Sequence, residues 1–268
     1  MSGKLTEMSE PEADASSDAI LTTENLTKQF GPLTAIDAVS LEIPADGITA
    51  VIGPNGAGKT TLFNTFTGKH APTDGQIVFD GETLDGAEPH EIVGRGIVRS
   101  FQITNFFAEL TALENVRLAA QARYSGFGPA DFLTHHASHE APLADAKRVL
   151  ERVGLAEVAT ETASSLSYGQ RRHLEIAIAL ASEPRLLLMD EPTAGMSPEE
   201  TNETVELIED IAADTTVVII EHDMDIVMGI ADRIAVLNEG KLLTQGPPEE
   251  IQSDERVQEA YLRGGGHE

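Results

Sequence analysis

Not one cysteine occurs in the 268 residues, so the chain offers no disulfide framework, no thiolate nucleophile and no zinc site of the cysteine type. Tryptophan is missing as well, and aromatic residues make up only 4% of the whole, which makes every aromatic side chain a marked position. Long apolar runs are also lacking: nothing approaches the roughly 18 consecutive apolar residues of a membrane-spanning helix. The densest runs, Leu186 to Met189 and Val217 to Ile220, suit buried parallel strands. Direct membrane insertion is therefore not expected. Residues 1–18 lack the basic start and apolar stretch of a signal peptide and read as a disordered acidic tail; a cytoplasmic protein is the expectation. Positive charge is scarce, with 18 Lys and Arg against 45 Asp and Glu, a net charge of −27. The acids are scattered along the chain, which points to a solvation property of the surface and to a host that accumulates salt. Such a surface repels nucleic acid and anionic lipid headgroups, so neither is an expected partner.

Gly53 to Thr61, GPNGAGKTT, fits G-x-x-x-x-G-K-[ST] through Gly53, Gly58, Lys59 and Thr60. It follows the apolar run Ile48 to Ile52 and opens a helix-compatible run through Phe66, so the order is strand, loop, helix. Gly53, Pro54, Asn55, Gly56, Ala57 and Gly58 form a loop whose backbone N–H groups can turn inward on a polyphosphate. Lys59 reaches the β and γ phosphates, Thr60 supplies a hydroxyl to Mg²⁺, and Thr61 continues the helix start. ATP or GTP is the ligand class, and the absence of an Asn-Lys-x-Asp guanine motif disfavours GTP.

A nucleotide domain is expected from residue 19 to residue 263, followed by a flexible tail at 264–268. Ile20 to Thr27 and Ala38 to Ile43 alternate as strands, with a turn at Pro44-Ala45-Asp46-Gly47. Gln76 to Phe79, flanked by Asp74-Gly75 and Asp80-Gly81, reads as part of a hairpin. Phe30, the only aromatic residue ahead of the loop, is either a half-buried core residue or a platform for adenine. Ile97 to Phe101 reads as a strand ending at Gln102, and residues 103–165 as an inserted helical subdomain with helices over Leu110 to Ala122 and Ala144 to Val153. His135, His136 and His139 lie there without a second cluster to complete a metal site. Helices are expected over Arg171 to Ala181, Pro198 to Ala213 and Pro248 to Arg263, and strands over Arg185 to Met189, Thr216 to Ile220, Arg233 to Leu237 and Lys241 to Gln245. Carboxylates at the C-terminal edge of a strand face the ligand crevice of an open α/β sheet. That places Asp190 to hold Mg²⁺ through water, Glu191 to polarise an attacking water and His222 to reach a γ-phosphate.

The phosphate loop, Gln102, the stretch Leu166-Ser167-Tyr168-Gly169-Gln170, the Asp190-Glu191 strand end and His222 occur in that order, and together they resemble the ATP-binding subunit of ABC transporters over nearly all of residues 19–263. The Leu-Ser-x-Gly-Gln helix start between a helical subdomain and the second carboxylate motif carries most of that resemblance. Two departures stand out: Tyr168 where the commonest version has Gly, and Ala194-Gly195-Met196-Ser197 where many relatives end in an Asp that couples the two sites. The segments SYGQRRHLEIAIAL, EPTAGMSPEET and GPPEEIQSDERVQEAYL resemble the branched-chain amino-acid uptake branch, and the length from Gln102 to Ser167 resembles the longer of its two ATP-binding paralogues.

The resemblance implies a P-loop α/β fold, a mixed sheet with flanking helices, with an inserted α-helical subdomain and an N-terminal antiparallel β region. It implies an ATPase with ATP and Mg²⁺ as ligands. Phe30 is then the adenine-stacking aromatic, Gln102 the sensor of Mg²⁺ and water, Glu191 the general base and His222 the switch on the γ-phosphate. Ser167, Gly169 and Gln170 act on the nucleotide of a second ATP-binding subunit, so a homo- or heterodimer is implied. Transmembrane permease subunits are the further partners, gripped beside Ile103, Phe106, Phe107 and Leu110, which are expected to share one face of a helix-like turn. The rival readings are a soluble ABC ATPase that serves assembly of another complex and the ATPase of a lipid or lipopolysaccharide exporter.

Overall fold

The computed structural model describes residues 19–100, 106–124 and 140–264. Gln102, Ile103, the His135, His136 and His139 group and the proposed tails at 1–18 and 265–268 lie outside the described residues.

The strands are β1 (Ala19–Phe30), β2 (Leu33–Pro44), β3 (Ile48–Ile52), β4 (Asp74–Phe79), β5 (Glu82–Thr83), β6 (Ile97–Ser100), β7 (Leu186–Asp190), β8 (Thr216–Ile220), β9 (Arg233–Asn238) and β10 (Lys241–Gly246). They form two sheets, an antiparallel one in the order β2-β1-β4-β5 and a six-stranded one in the order β10-β9-β3-β8-β7-β6. In the second sheet all neighbours are parallel except the edge strand β10. Every residue of β3, β7 and β8 is buried, because both faces of the sheet are covered, and this is why their sequences are continuous apolar runs. Alternation along the strands sorts the side chains. Ala50, Ile52, Leu187, Met189, Val217 and Ile219 enter the core beneath the helical subdomain. Val51, Leu186, Leu188, Val218 and Ile220 enter the core shared with the antiparallel sheet.

The helices are α1 (Lys59–Phe66), α2 (Pro89–Arg95), α3 (Ala112–Tyr124), α4 (Glu140–Arg152), α5 (Tyr168–Leu180), α6 (Pro198–Ala212), α7 (Met224–Ile230), α8 (Pro248–Ser253) and α9 (Glu255–Gly264). α5 begins three residues before the expected Arg171, because Ser167 and Gln170 exchange hydrogen bonds in a capping box. The single helix expected over Pro248 to Arg263 is two. Asp254 is extended and caps α9 by accepting from the Arg256 N–H at 2.9 Å. α9 reaches Gly264, the first residue of the stretch read as a tail. None of the helices among the described residues is long and apolar enough to cross a membrane.

α3 and α4 pack on the core beside α5, and an ionic contact ties Arg152 of α4 to Asp210 of α6 and to Asp214 just beyond it. The segment ahead of α3 corrects the expected helix-like turn. Phe106 lies in a bend and Phe107 opens a single turn, closed by the Leu110 N–H donating to its carbonyl at 3.1 Å, so no helix continues through both rings. The Asn115 side chain accepts from the Phe107 N–H at 2.7 Å and donates to the Phe107 carbonyl at 3.0 Å. Held this way, Phe106 packs on the core while Phe107 is 64% exposed.

Candidate functional site

Three neighbouring strands of the parallel sheet end on one crevice, and each delivers a group that the sequence singles out. β3 runs into the loop Gly53 to Gly58, where Gly53, Gly56 and Gly58 have φ of 149°, 81° and 103°. At Gly53 and Gly58 a Cβ would meet the carbonyl oxygens of Leu237 at 2.1 Å and Ala35 at 2.6 Å, so glycine is required by both conformation and space. Gly58 caps α1 from the left-handed region, and no side chain occupies its capping position. The first-turn N–H groups of α1 therefore face the crevice together with those of the loop.

A cleft of about 540 Å³ follows this loop and is lined by Asn55, Gly56, Ala57, Gly58, Lys59, Thr60, Thr61, Glu191 and His222, with Leu33, Thr34 and Ala35 on its other wall. Pro54 borders an adjoining hollow shared with Asn238, Glu239 and Ala260 of α9. Tyr261, the next residue, interacts with the backbone of Gly53. Lys59 is buried, and its Nζ donates to the carbonyls of Gly53 at 2.6 Å and Pro54 at 3.2 Å. Burial pulls its ammonium below the ordinary lysine pKa, against the opposing charges of Glu191 and Asp190.

Glu191, just beyond β7, adopts a left-handed backbone with φ 47°, uncommon for a residue with a side chain. Its Oε1 lies 2.7 Å from Nε2 of His222, which stands just beyond β8. This turn is secured from below. Arg172 of α5 donates to the carbonyls of Asp190 at 2.7 Å, Glu191 at 2.9 Å and Pro192 at 3.2 Å. Buried Glu221 accepts from the Thr193 hydroxyl at 2.6 Å, the Thr193 N–H at 3.1 Å and the His222 N–H at 3.1 Å.

Asp190 has a counter-ion that the sequence does not announce. It is buried and ion-paired through Oδ2 with Arg99 of β6, whose other nitrogen donates to Asn64 of α1 at 2.8 Å. A carboxylate at this depth needs a partner cation, and Arg99 on the adjacent strand supplies it. The oxygen donors Thr60 and Asp190 are of the type that holds a hard cation such as Mg²⁺, and Thr60 faces the cleft. Among the described residues no group of three or more acidic or histidine side chains converges as a metal site.

Phe30 is not a core residue. It is 41% exposed, meets His70 edge-on with ring centroids 5.1 Å apart and lies under the Lys28 ammonium. It is not part of the cleft lining, although it pairs in the hairpin with Leu33, which is. Ser167, Gly169 and Gln170 are likewise absent from the cleft. Ser167 and Gln170 are engaged in capping α5, and the Gly169 N–H donates to Glu200 at 3.2 Å.

Arg172, Arg99, Glu221 and Glu200 were not singled out in the sequence. Glu200 alone left a signal there, as the fourth residue of Ser197-Pro198-Glu199-Glu200, a capping-box pattern at the start of α6.

A family model described as ABC transporter matches residues 36–194, and one described as branched-chain amino acid ATP-binding cassette transporter matches residues 241–262. The chain is 43% identical over 249 residues to the high-affinity branched-chain amino acid transport ATP-binding protein BraF of Pseudomonas aeruginosa, covering 91% of this chain and 97% of the relative. It is 42% identical over 253 residues to the corresponding protein LivG of Escherichia coli, covering 92% and 98%. Among solved structures, the ADP conformation of an ATP-binding cassette of an ABC transporter superposes with a TM-score of 0.79 at 33% identity, covering 91% of this chain and 98% of that one. A dimeric post-hydrolysis cassette bound to ADP and phosphate gives 0.72 at 26% identity, covering 85% and 98%.

Proposed function

Because the chain belongs to the ATP-binding subunits of ABC transporters, in their branched-chain amino-acid branch, we propose that it powers uptake of leucine, isoleucine, valine or a related amino acid by hydrolysing ATP against a membrane permease. The observation that carries this reading is the Glu191–His222 pair facing the phosphate loop across one cleft. The likeness of the C-terminal segment 241–262 to the branched-chain model narrows the branch.

The chemistry follows from that geometry. The loop N–H groups and the start of α1 hold the phosphates of ATP, and Lys59 exchanges its two carbonyl acceptors for phosphate oxygens. Thr60, Asp190 and Gln102 would be the residues to hold Mg²⁺, which when bound would supply positive charge against the phosphoryl oxygens. Glu191 accepts the proton of the attacking water, and His222 orients Glu191 and reaches the γ-phosphate. Phe30, at the end of the hairpin that bears Leu33, supplies a ring for adenine. The helix start at Ser167, Gly169 and Gln170 lies outside this cleft, which supports a dimer in which each copy, or a paralogue, presents that start to the other's nucleotide. The chain then works as a peripheral protein on the cytoplasmic side of the membrane, bound through permease subunits. The exposed Phe107 ring offers the permease an anchor, and a largely apolar groove of about 220 Å³ beside β6, lined by Val93, Val98, Ala119, Ile178 and Ala179 among others, is a second candidate surface.

Reconstitution tests the reading. The chain, co-expressed with candidate permease subunits and purified into proteoliposomes with an external amino-acid-binding protein, should accumulate radiolabelled leucine only when ATP is enclosed on its side. ATP hydrolysis without association with any membrane partner would favour the soluble-assembly reading, and ATP-driven lipid release would favour the exporter.

A further inference from the structure

The two places where the sequence departs from the common family pattern touch each other. Tyr168 begins α5, and its hydroxyl donates to the carbonyl of Ala194 at 2.9 Å, in the very segment that lacks the usual aspartate. Gly195 follows with φ 77°, and a Cβ there would lie 3.4 Å from the Tyr168 hydroxyl, so the tyrosine closes directly over the glycine. The ring is 53% exposed, so its fixed position owes little to core packing.

This contact is one of several that fasten α5 to the end of β7 and the chain after it, among them His173 bonded to the Thr204 hydroxyl of α6 at 3.1 Å. One helical turn later, Arg172 holds the carbonyls of Asp190, Glu191 and Pro192. From α6, Glu200 accepts the Gly169 N–H at 3.2 Å with Oε1 and the Ser197 N–H at 3.0 Å with Oε2. The segment itself folds back on the base, with the Ala194 N–H donating to the Glu191 carbonyl at 3.2 Å. The path from the Ser167 end of α5 to the Glu191 turn is therefore short and made of direct hydrogen bonds: Tyr168 to Ala194, and Ala194 to Glu191.

We propose that Tyr168 is a positioning residue that joins the helix start at Ser167 to the Glu191 turn as one body, so that ATP bound against Ser167 in one site sets the base of the other. This rests on the dimeric ATPase reading above, in which Ser167 and Glu191 of one chain serve two different nucleotides. The usual aspartate performs its coupling from the segment that here reads Ala194 to Ser197; in this chain a side chain from α5 reaches into that segment instead. The link has discrete donor and acceptor atoms, and the remaining fasteners, Arg172 and Glu200, stay in place when the tyrosine hydroxyl is removed.

Tyr168→Phe deletes that hydroxyl and keeps the ring. In the full chain, ATP hydrolysis measured against ATP concentration should show a wild-type Hill coefficient above one. The variant should bring it toward one, with kcat down roughly three- to tenfold and the half-saturating ATP concentration within about twofold, since one hydrogen bond that acts after binding is lost. Mixed dimers of one wild-type and one Tyr168→Phe chain, the former marked by Glu191→Gln so that only the variant's own base can turn over, should hydrolyse at the rate set by an intact wild-type Ser167 helix start and a loosened base. That rate should lie below the rate of the reverse mixture, in which the chain with the working base keeps Tyr168. The proposal is overturned by a wild-type Hill coefficient of one, by unchanged cooperativity in the variant, or by a melting temperature that falls while kcat and the Hill coefficient stay put. A wild-type chain that does not hydrolyse ATP at all overturns the dimeric ATPase reading together with it.

Discussion

On the proposed reading Glu191 serves the chemistry and Lys59 the binding, and single substitutions should separate the two. Glu191→Gln keeps the shape but cannot take a proton, so ATP should still bind while turnover drops by about a hundredfold or more. Size-exclusion chromatography with ATP should then reveal a persistent dimer. Lys59→Ala removes the buried cation that faces the phosphates and should weaken ATP affinity by on the order of tenfold or more, measured by titration with a fluorescent ATP analogue. Lys59, Glu191 and His222 were legible because each stands directly after, or one loop beyond, an apolar run that can only be a buried strand. Arg172 was not, since its partners are backbone carbonyls, and no side-chain pattern announces a guanidinium that grips main chain. Asp190 was read from its place at the strand end, and only the neighbouring strand reveals Arg99 as its counter-ion.

At the scale of elements, the bend before α3 separates two adjacent aromatics by environment. Phe106→Ala should lower the melting temperature by roughly 5 °C or more, because it empties a place on the core. Phe107→Ala should leave the fold and the ATPase of the free chain within about threefold of wild type, and sever membrane recruitment, if the exposed ring is an anchor for the permease. Co-sedimentation with permease-containing vesicles measures the second effect; unchanged recruitment would move the docking surface elsewhere. Glu200 gives this scale its pH dependence. Hydrogen bonds from the Ser197 backbone, and then from Gly169, hold its carboxylate below the ordinary 4.5. A carboxylate whose folded pKa is depressed adds stability above its unfolded pKa and loses it as pH falls through the folded one. The melting-temperature gap between wild type and Glu200→Gln should therefore be widest near neutrality and narrow below about pH 4.5. The long strands and α6 were visible in the sequence, whereas α2 and α7, with seven residues each, were not. Helices so short carry too little apolar period to register, and their signals lie in caps: the Glu88 and Glu91 box for α2, and the Asp223 carboxylate for α7.

On the scale of the whole molecule, the net charge of −27 dominates. Repulsion among the acids opposes compaction, and salt shortens its range from about 10 Å at 0.1 M to about 3 Å at 1 M. The melting temperature should climb from dilute buffer into molar KCl; a flat series would remove the reading of a salt-adapted host. The contact between Arg152 and the aspartates at 210 and 214 works in the opposite sense, since it joins α4 to α6 and the loop after it by charge and is weakened by the same salt. The last helix adds a practical constraint. Since Tyr261 interacts with the backbone of Gly53 and Ala260 borders the hollow beside Pro54, α9 stands against the phosphate loop from behind. Deleting α9, or pulling on it mechanically, would therefore be felt at the nucleotide, although no residue of this helix belongs to the phosphate loop itself.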